Sequence, residues 1–274
     1  MKRVVTMQDI SCIGKCSVTV ALPILSVLGI ECAILPTAVL STHTAFEEFS
    51  FKDLTPELDK ILEHWKKQNF KMDGVYTGYL GSIWQVKFVE KLMEYYKDGI
   101  HLVDPAMADF GKLYKGFDDK FVLEMANLCQ KSDMIVPNLT EICLLLGIEY
   151  KDDYNVSDIK DMLKRLADKG SKKVLMTGFS SSKNSLGAIC YDREIDNFII
   201  YENEKLSESF HGTGDIFAST LFGNLVNGKS LEDSMAITVD FVLEAIKKTV
   251  NEENHNTYGV NFEYALPYLI KRAY

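Results

Sequence analysis

The chain has 274 residues, 47% hydrophobic and 25% charged, with a formal net charge of −9 from 30 Lys and Arg against 39 Asp and Glu. That is ample apolar material for a core, and the acidic balance speaks against nucleic acid and anionic membrane as partners. Its six cysteines (Cys12, Cys16, Cys32, Cys129, Cys143 and Cys190) show no CxxC or paired Cys/His spacing, which speaks against a zinc site or disulfide framework and suits a reducing cytoplasm.

The opening "MKRVVTMQDI" meets polar residues too soon for a signal peptide, and "RVVTM" reads as a strand. The most membrane-like stretch, "VALPILSVLGIECAILPTAVL", carries Pro23, Gly29, Glu31 and Pro36, so it reads as a buried helix followed by a buried strand. Beyond it, "PELDKILEHWKKQ", "SIWQVKFVEKLMEYYK", "KFVLEMANLCQK" and "VSDIKDMLKRLADKG" have helical spacing. They alternate with the strand-like "GVYTGY", "IHLVDP", "MIVPN" and "KKVLMTG". Such alternation predicts an α/β fold, a central mostly parallel sheet with helices on both faces. "GAICYD" and "NFIIYEN" then predict a late antiparallel hairpin, and "GDIFASTLFGNLVNG" and "LEDSMAITVDFVLEAIKKTV" two helices. With no linker, repeat or low-complexity tract, residues 1–274 read as a single cytoplasmic domain.

Open α/β sheets bind ligands beyond the carboxyl ends of their strands. "FHGTGDIFAST" raises the sharpest question there. Gly212, Thr213 and Gly214 at a helix start suit an anion, whereas Asp215 beside them would repel one. On these residues alone Asp215 is either an ordinary cap, worth about 1 kcal/mol, or a base that takes the proton of a hydroxyl attacking a phosphoryl group. In "PNLTEICLLLG", Asn138 and Glu141 read either as a helix cap with its dipole partner or as a strand-end pair whose carboxylate reaches a hydrated Mg²⁺. "VDPAMAD" adds Asp104 and Asp109 at another strand end.

In this order, "TMQD", "LSTHTAF", "TGYLGS", "VDPAMAD", "PNLTE", "MTGFS" and "GTGD" resemble the ribokinase superfamily, and more narrowly its pyridoxal kinase branch. The resemblance implies a three-layer α/β/α sandwich, ATP as donor with Mg²⁺, a monovalent cation such as K⁺, a homodimer, and a hydroxymethyl acceptor on the pyridine ring of a B6 vitamer. It makes Asp215 the base and the amides of Gly212, Thr213 and Gly214 the anion hole. It assigns Glu141 and Asp104 to the metal, and Asp104, Asp109, Asn138 and Thr177 to the nucleotide. Asp9, Ser11, His43, Thr44 and Tyr79 fall to the vitamer; His43 either bonds it or fixes its own loop.

Two departures stand out. Asp9 falls where many pyridoxal kinases have serine, as in hydroxymethylpyrimidine kinases, and predicts acceptance of pyridoxamine at least as readily as pyridoxal. Ala108 replaces a frequent glycine and puts the Asp109 loop in question. A hydroxymethylpyrimidine kinase is the nearest enzyme alternative, although that group commonly has cysteine where this chain has Asp215. A sugar kinase would want a polyol-binding array in place of "THTAF" and "TGY". A non-catalytic vitamer binder would need neither Asp215 nor Glu141. By position alone, residues 45–57 are a candidate cover. Cys12 and Cys16 read as small buried residues, not nucleophiles, with no basic partner beside them.

Overall fold

The computed structural model describes residues 1–206, 210–255 and 258–274. They begin with strand β1 (Arg3–Ser11), helix α1 (Val18–Val27), strands β2 (Glu31–Leu40) and β3 (Phe51–Asp53), helix α2 (Thr55–Lys67) and strand β4 (Gly74–Thr77). Helix α3 (Ile83–Tyr95) leads to β5 (Ile100–Val103), the short β6 (Ala108–Asp109) and β7 (Lys112–Leu113), and α4 (Asp119–Gln130). Next come β8 (Met134–Ile135), α5 (Leu139–Leu146), α6 (Val156–Asp168), β9 (Lys173–Phe179), β10 (Ser185–Asp192) and β11 (Asn197–Glu204). Helices α7 (Thr213–Val226), α8 (Leu231–Val250) and α9 (Leu266–Ala273) follow, with a 3-10 turn at Phe262–Ala265. Two compact units divide these elements: Met1–Gly78, Tyr96–Ile100 and Leu206–Tyr274 form one, Tyr79–Tyr95 and His101–Lys205 the other.

In the first unit the strand order is β4-β1-β2-β3. β1 is parallel to both neighbours and buried along nearly its whole length, as a strand covered on both faces must be. Its register with β2 holds from Arg3↔Glu31 to Gln8↔Pro36 and resumes at Ile10↔Val39. Proline has no N–H for the ladder, and a bulge is where a sheet interior admits one. The bulge is on β2, where Thr37 and Ala38 stand opposite the single residue Asp9. Helix α1 buries Val20, Ala21, Ile24 and Leu25 completely as it packs against β1, β2 and α7, each larger side chain contributing about 1.5–3 kcal/mol. At the edge, β3 pairs antiparallel with β2 from Ala38↔Asp53 to Leu40↔Phe51. The 45–57 stretch, expected as a candidate cover, is therefore tied to the sheet at residues 51–53.

In the second unit the order is β11-β10-β9-β8-β5. β5, β8 and β9 are parallel, and β10 is antiparallel to both β9 and β11, which is the late hairpin expected from the sequence. Helix α6 turns Ile159, Met162, Leu163, Leu166 and Ala167 inward, a 3.6-residue stripe that packs against β9 and β10. β6 and β7 form a small antiparallel hairpin closed by Phe110 and Gly111 at φ 48° and 75°, the backbone signature of a type I′ turn. Among the described residues no helix is long and apolar enough to cross a membrane.

Candidate active site

The first unit holds the start of α7. Gly212 is its N-cap at φ 82°, a left-handed conformation in which a side chain would overlap the Lys15 carbonyl oxygen. Glycine is obligatory there. Gly214 differs, because its φ lies outside the left-handed range and, apart from its chain neighbours and its own helix backbone, no atom of the described residues lies within 4 Å of where its Cβ would stand. Among the described residues, internal packing gives no reason for glycine at 214; close approach of an anion to the helix amides does. No described side chain caps α7, and the Thr213 hydroxyl turns away to donate to the Phe210 carbonyl at 3.3 Å.

Asp215 is the third residue of α7, and it does not cap that helix. Its Oδ2 accepts from the Ser17 backbone N–H at 3.0 Å. Burial pushes its carboxyl up to about 6 against the pull of that N–H, and the Asp9 charge adds to the rise. A group of that pKa is ionised at neutral pH yet basic enough to draw a proton from a hydroxyl. The ordinary-cap alternative thus loses its geometric basis.

Asp9 is 4% exposed, with Oδ1 accepting from the Ser17 hydroxyl at 2.6 Å and Oδ2 from the Ser11 hydroxyl at 3.0 Å. Burial raises its pKa, and the two hydroxyls hold it down. His43 is buried with both ring nitrogens engaged by backbone: Nδ1 accepts from the Ala45 N–H at 3.2 Å and Nε2 donates to the Tyr258 carbonyl at 3.0 Å. Of its two readings, the one in which His43 fixes its own loop has the geometry. Its ring lies 4.4 Å from that of His211, whose pKa burial and His43 both lower. Thr44 is exposed beside it. Burial and the Asp215 charge push the Cys16 thiol up to about 12, which keeps it protonated and inert; Cys12, expected to be buried as well, is instead exposed.

The second unit holds the start of α5, where "PNLTE" forms a complete capping box. Asn138 Oδ1 accepts from the Glu141 N–H and Glu141 Oε2 from the Asn138 N–H, both at 2.9 Å. Glu141 Oε1 accepts from the Met107 N–H at 3.1 Å, and Asn138 Nδ2 donates to the Ala108 carbonyl at 2.9 Å. Glu141 is 2% exposed, and burial, then the Asp104 charge, lift its pKa well above the ordinary glutamate range. Among the described residues no three His, Cys, Asp or Glu gather as a metal cluster. Two carboxylates that repel each other in a buried setting do fit one hydrated Mg²⁺, which needs few protein ligands and relieves the repulsion.

Ala108 is a fully buried strand residue, and the positive φ angles fall on Phe110 and Gly111, so the departure at 108 strains nothing. Asp109 is exposed at the entry to that turn, where burial of its carboxyl raises its pKa against a hydrogen bond from the Phe110 N–H. Thr177 lies on β9 and donates its N–H to the Pro137 carbonyl at 3.1 Å. Tyr79 is half-buried with its ring 5.6 Å from Phe117. Sequence reasoning missed Ser17 altogether. Its signal was a serine opening the buried helix just after "DISCIGKC", but its side chain serves Asp9 and its amide serves Asp215.

Comparison with known proteins bears on the family and the fold. The family model described as "Phosphomethylpyrimidine kinase" matches residues 27–260. A Bacteroides thetaiotaomicron protein described as a phosphomethylpyrimidine kinase, in a crystal form with pyridoxal, superposes at a TM-score of 0.92 with 37% identity, covering 98% of this chain and 95% of that one. Pyridoxal kinase from Lactobacillus plantarum superposes at 0.92 with 28% identity over 99% and 97% of the two chains. The pyridoxal kinase of Dictyostelium discoideum is 26% identical over 93% of this chain and 87% of its own. The expected α/β fold is the one these structures share.

Proposed function

Because the chain belongs to the phosphomethylpyrimidine kinase family, within the ribokinase superfamily, we propose that it is a pyridoxal kinase, an ATP-dependent enzyme that phosphorylates the 5′-hydroxymethyl group of pyridoxal, pyridoxine and pyridoxamine. The observation that carries this reading is the start of α7: a carboxylate raised to about 6 beside a helix end that no described side chain caps. Two relatives named pyridoxal kinase, and a third described as a phosphomethylpyrimidine kinase whose crystal holds pyridoxal, support the acceptor.

Asp215 takes the proton of the 5′-hydroxyl as its oxygen bonds to the γ-phosphorus and the bond to the β,γ-bridging oxygen breaks, leaving ADP and the 5′-phosphate. The amides of Gly212, Thr213 and Gly214 hold the phosphoryl charge that develops. Glu141 and Asp104 would hold Mg²⁺, which would neutralise phosphate charge. By the family resemblance Asp109, Asn138 and Thr177 serve the nucleotide and Ser11, Thr44 and Tyr79 the vitamer, with His43 fixing its own loop. The family match runs through both units and supports treating residues 1–274 as one kinase domain. A cytoplasmic homodimer that responds to K⁺ completes the proposal, the dimer and the cation resting on the family resemblance.

The test is Mg²⁺-dependent ADP release with pyridoxal, pyridoxine, pyridoxamine and hydroxymethylpyrimidine in turn, with and without K⁺. The expected result is turnover with the vitamers above that with the pyrimidine. Preference for hydroxymethylpyrimidine would move the enzyme to the thiamin-precursor side of its family, an alternative kept open by the family's own description. Binding of vitamer without ADP release would make it a binder.

A further inference from the structure

Both Asp9 oxygens are occupied from within the protein, although the sequence suggested that this carboxylate faces the vitamer. We infer that Asp9 is the positioning residue of the catalytic base: it locks the Ser17 hydroxyl, and the Ser17 N–H in turn holds Asp215 in place. This rests on Asp215 being the base.

Three observations support the relay. The distances are short at each step, 2.6 Å from the Ser17 hydroxyl to Asp9 and 3.0 Å from the Ser17 N–H to Asp215. Ser17 sits at φ 53° and ψ −133°, which a non-glycine residue holds only when its surroundings fix it. It is also the N-cap of α1 without using its side chain as a cap, so its hydroxyl is committed to Asp9. Asp9 stands on β1 opposite a bulge in β2, where the ladder between the two strands is broken between Gln8 and Ile10. The second Asp9 oxygen is tied by Ser11, which keeps the carboxylate from rotating.

The charged and titratable groups around the relay are few. Asp9 feels Asp215, Cys16 and His43; Asp215 feels Asp9 and Cys16. Asp9 adds to the rise in the Asp215 pKa, so removing its charge lowers that pKa and leaves the base active at lower pH.

The experiment compares Asp9→Asn, Ser17→Ala, the double variant and Asp215→Asn for kcat, KM and the pH profile with pyridoxal and pyridoxamine, and Tm for each. Asp9→Asn should lower kcat by about tenfold to a hundredfold, as displacement of a reacting group does, with KM within about twofold. The pyridoxamine/pyridoxal ratio of kcat/KM should stay constant, and the acidic limb of kcat should move to lower pH. Ser17→Ala should lower kcat similarly, and the double variant should be no more than about twofold slower than the worse single one, because one relay is broken twice. If Asp9→Asn does not fold, Ser17→Ala still carries the test, with the same loss in kcat at unchanged KM. A raised KM and an altered vitamer ratio with an unmoved acidic limb would show that Asp9 contacts the vitamer and overturn the inference; independent, multiplying losses would do the same. Wild-type turnover in Asp215→Asn would instead remove the base assignment, and the relay with it, whatever the Asp9 variants show.

Discussion

Helices α5 and α7 begin with the same signature and use it oppositely. Each has a small or polar N-cap residue and an acidic third position, Asn138 with Glu141 and Gly212 with Asp215. At α5 the two residues bond each other reciprocally, and the acid takes a further N–H from Met107. At α7 the cap has no side chain and the acid looks outward to Ser17, so no described side chain covers the helix start. The first arrangement stabilises a helix that also presents a carboxylate toward Asp104. The second gives up a cap, worth about 1 kcal/mol, and keeps an anion site with a base beside it. An acidic residue near a helix start says little until its hydrogen-bond partner is known.

Removing the base should produce the largest effect and sharpen that contrast most. Asp215→Asn should lower kcat about a hundredfold or more while vitamer binding persists. It should also raise Tm at pH 7. The native carboxyl sits at about 6, above its unfolded value of 3.8, so the ionised form costs the fold stability at neutral pH. That cost fades as pH falls from about 6 toward 4, and the gain from the asparagine should fade with it, as melts across this range would record. In the wild type, kcat should fall below pH about 6 as the base takes up its proton.

The two glycines of α7 should then separate stability from activity. Gly214→Ala should cost about tenfold or more in kcat/KM by crowding the anion hole, while Tm holds or rises slightly, since alanine favours the helix by about 0.5–1 kcal/mol. Gly212→Ala meets the Lys15 carbonyl in a left-handed conformation and should lower Tm outright, by about 1–3 kcal/mol in stability. Equal stability losses at both positions would break the distinction between an open and a packed glycine.

The smallest effects on rate are expected at α5. Glu141→Gln removes the carboxylate beside Asp104 but sets its NH2 against one of the two backbone N–H groups, of Met107 and Asn138, that the carboxylate accepts from. Stability should therefore fall by about 1–3 kcal/mol, while the Mg²⁺ concentration for half-maximal rate increases several-fold. Asn138→Ala should lower stability by about 1 kcal/mol through the lost cap. Titrating Mg²⁺ against rate, with parallel melts, distinguishes the two.

The architecture was legible because periodicity is local. Strands such as "RVVTM" and "KKVLMTG" and the α6 stripe announced themselves, and α5 carried its cap in four consecutive residues. Three things were not legible, each for its own reason. β3 pairs with β2 across the loop that follows it, so its three exposed residues gave no burial pattern. The β6–β7 hairpin turns on Phe110, a residue type that rarely takes a positive φ. Asp9 could be assigned to the vitamer from its position in a motif, whereas its bonds to Ser11 and Ser17 depend on how the chain turns between β1 and α1. The candidate base was visible in "GTGD"; the amide that holds it, 198 residues away, was not.

The most direct measurement is single-turnover phosphorylation of pyridoxal by wild type and Asp215→Asn at saturating Mg²⁺ and ATP, with pyridoxal affinity measured alongside. A base at Asp215 predicts unchanged affinity and a chemical step slower by about a hundredfold or more. Equal single-turnover rates in the two proteins would contradict it and leave Asp215 a structural carboxylate.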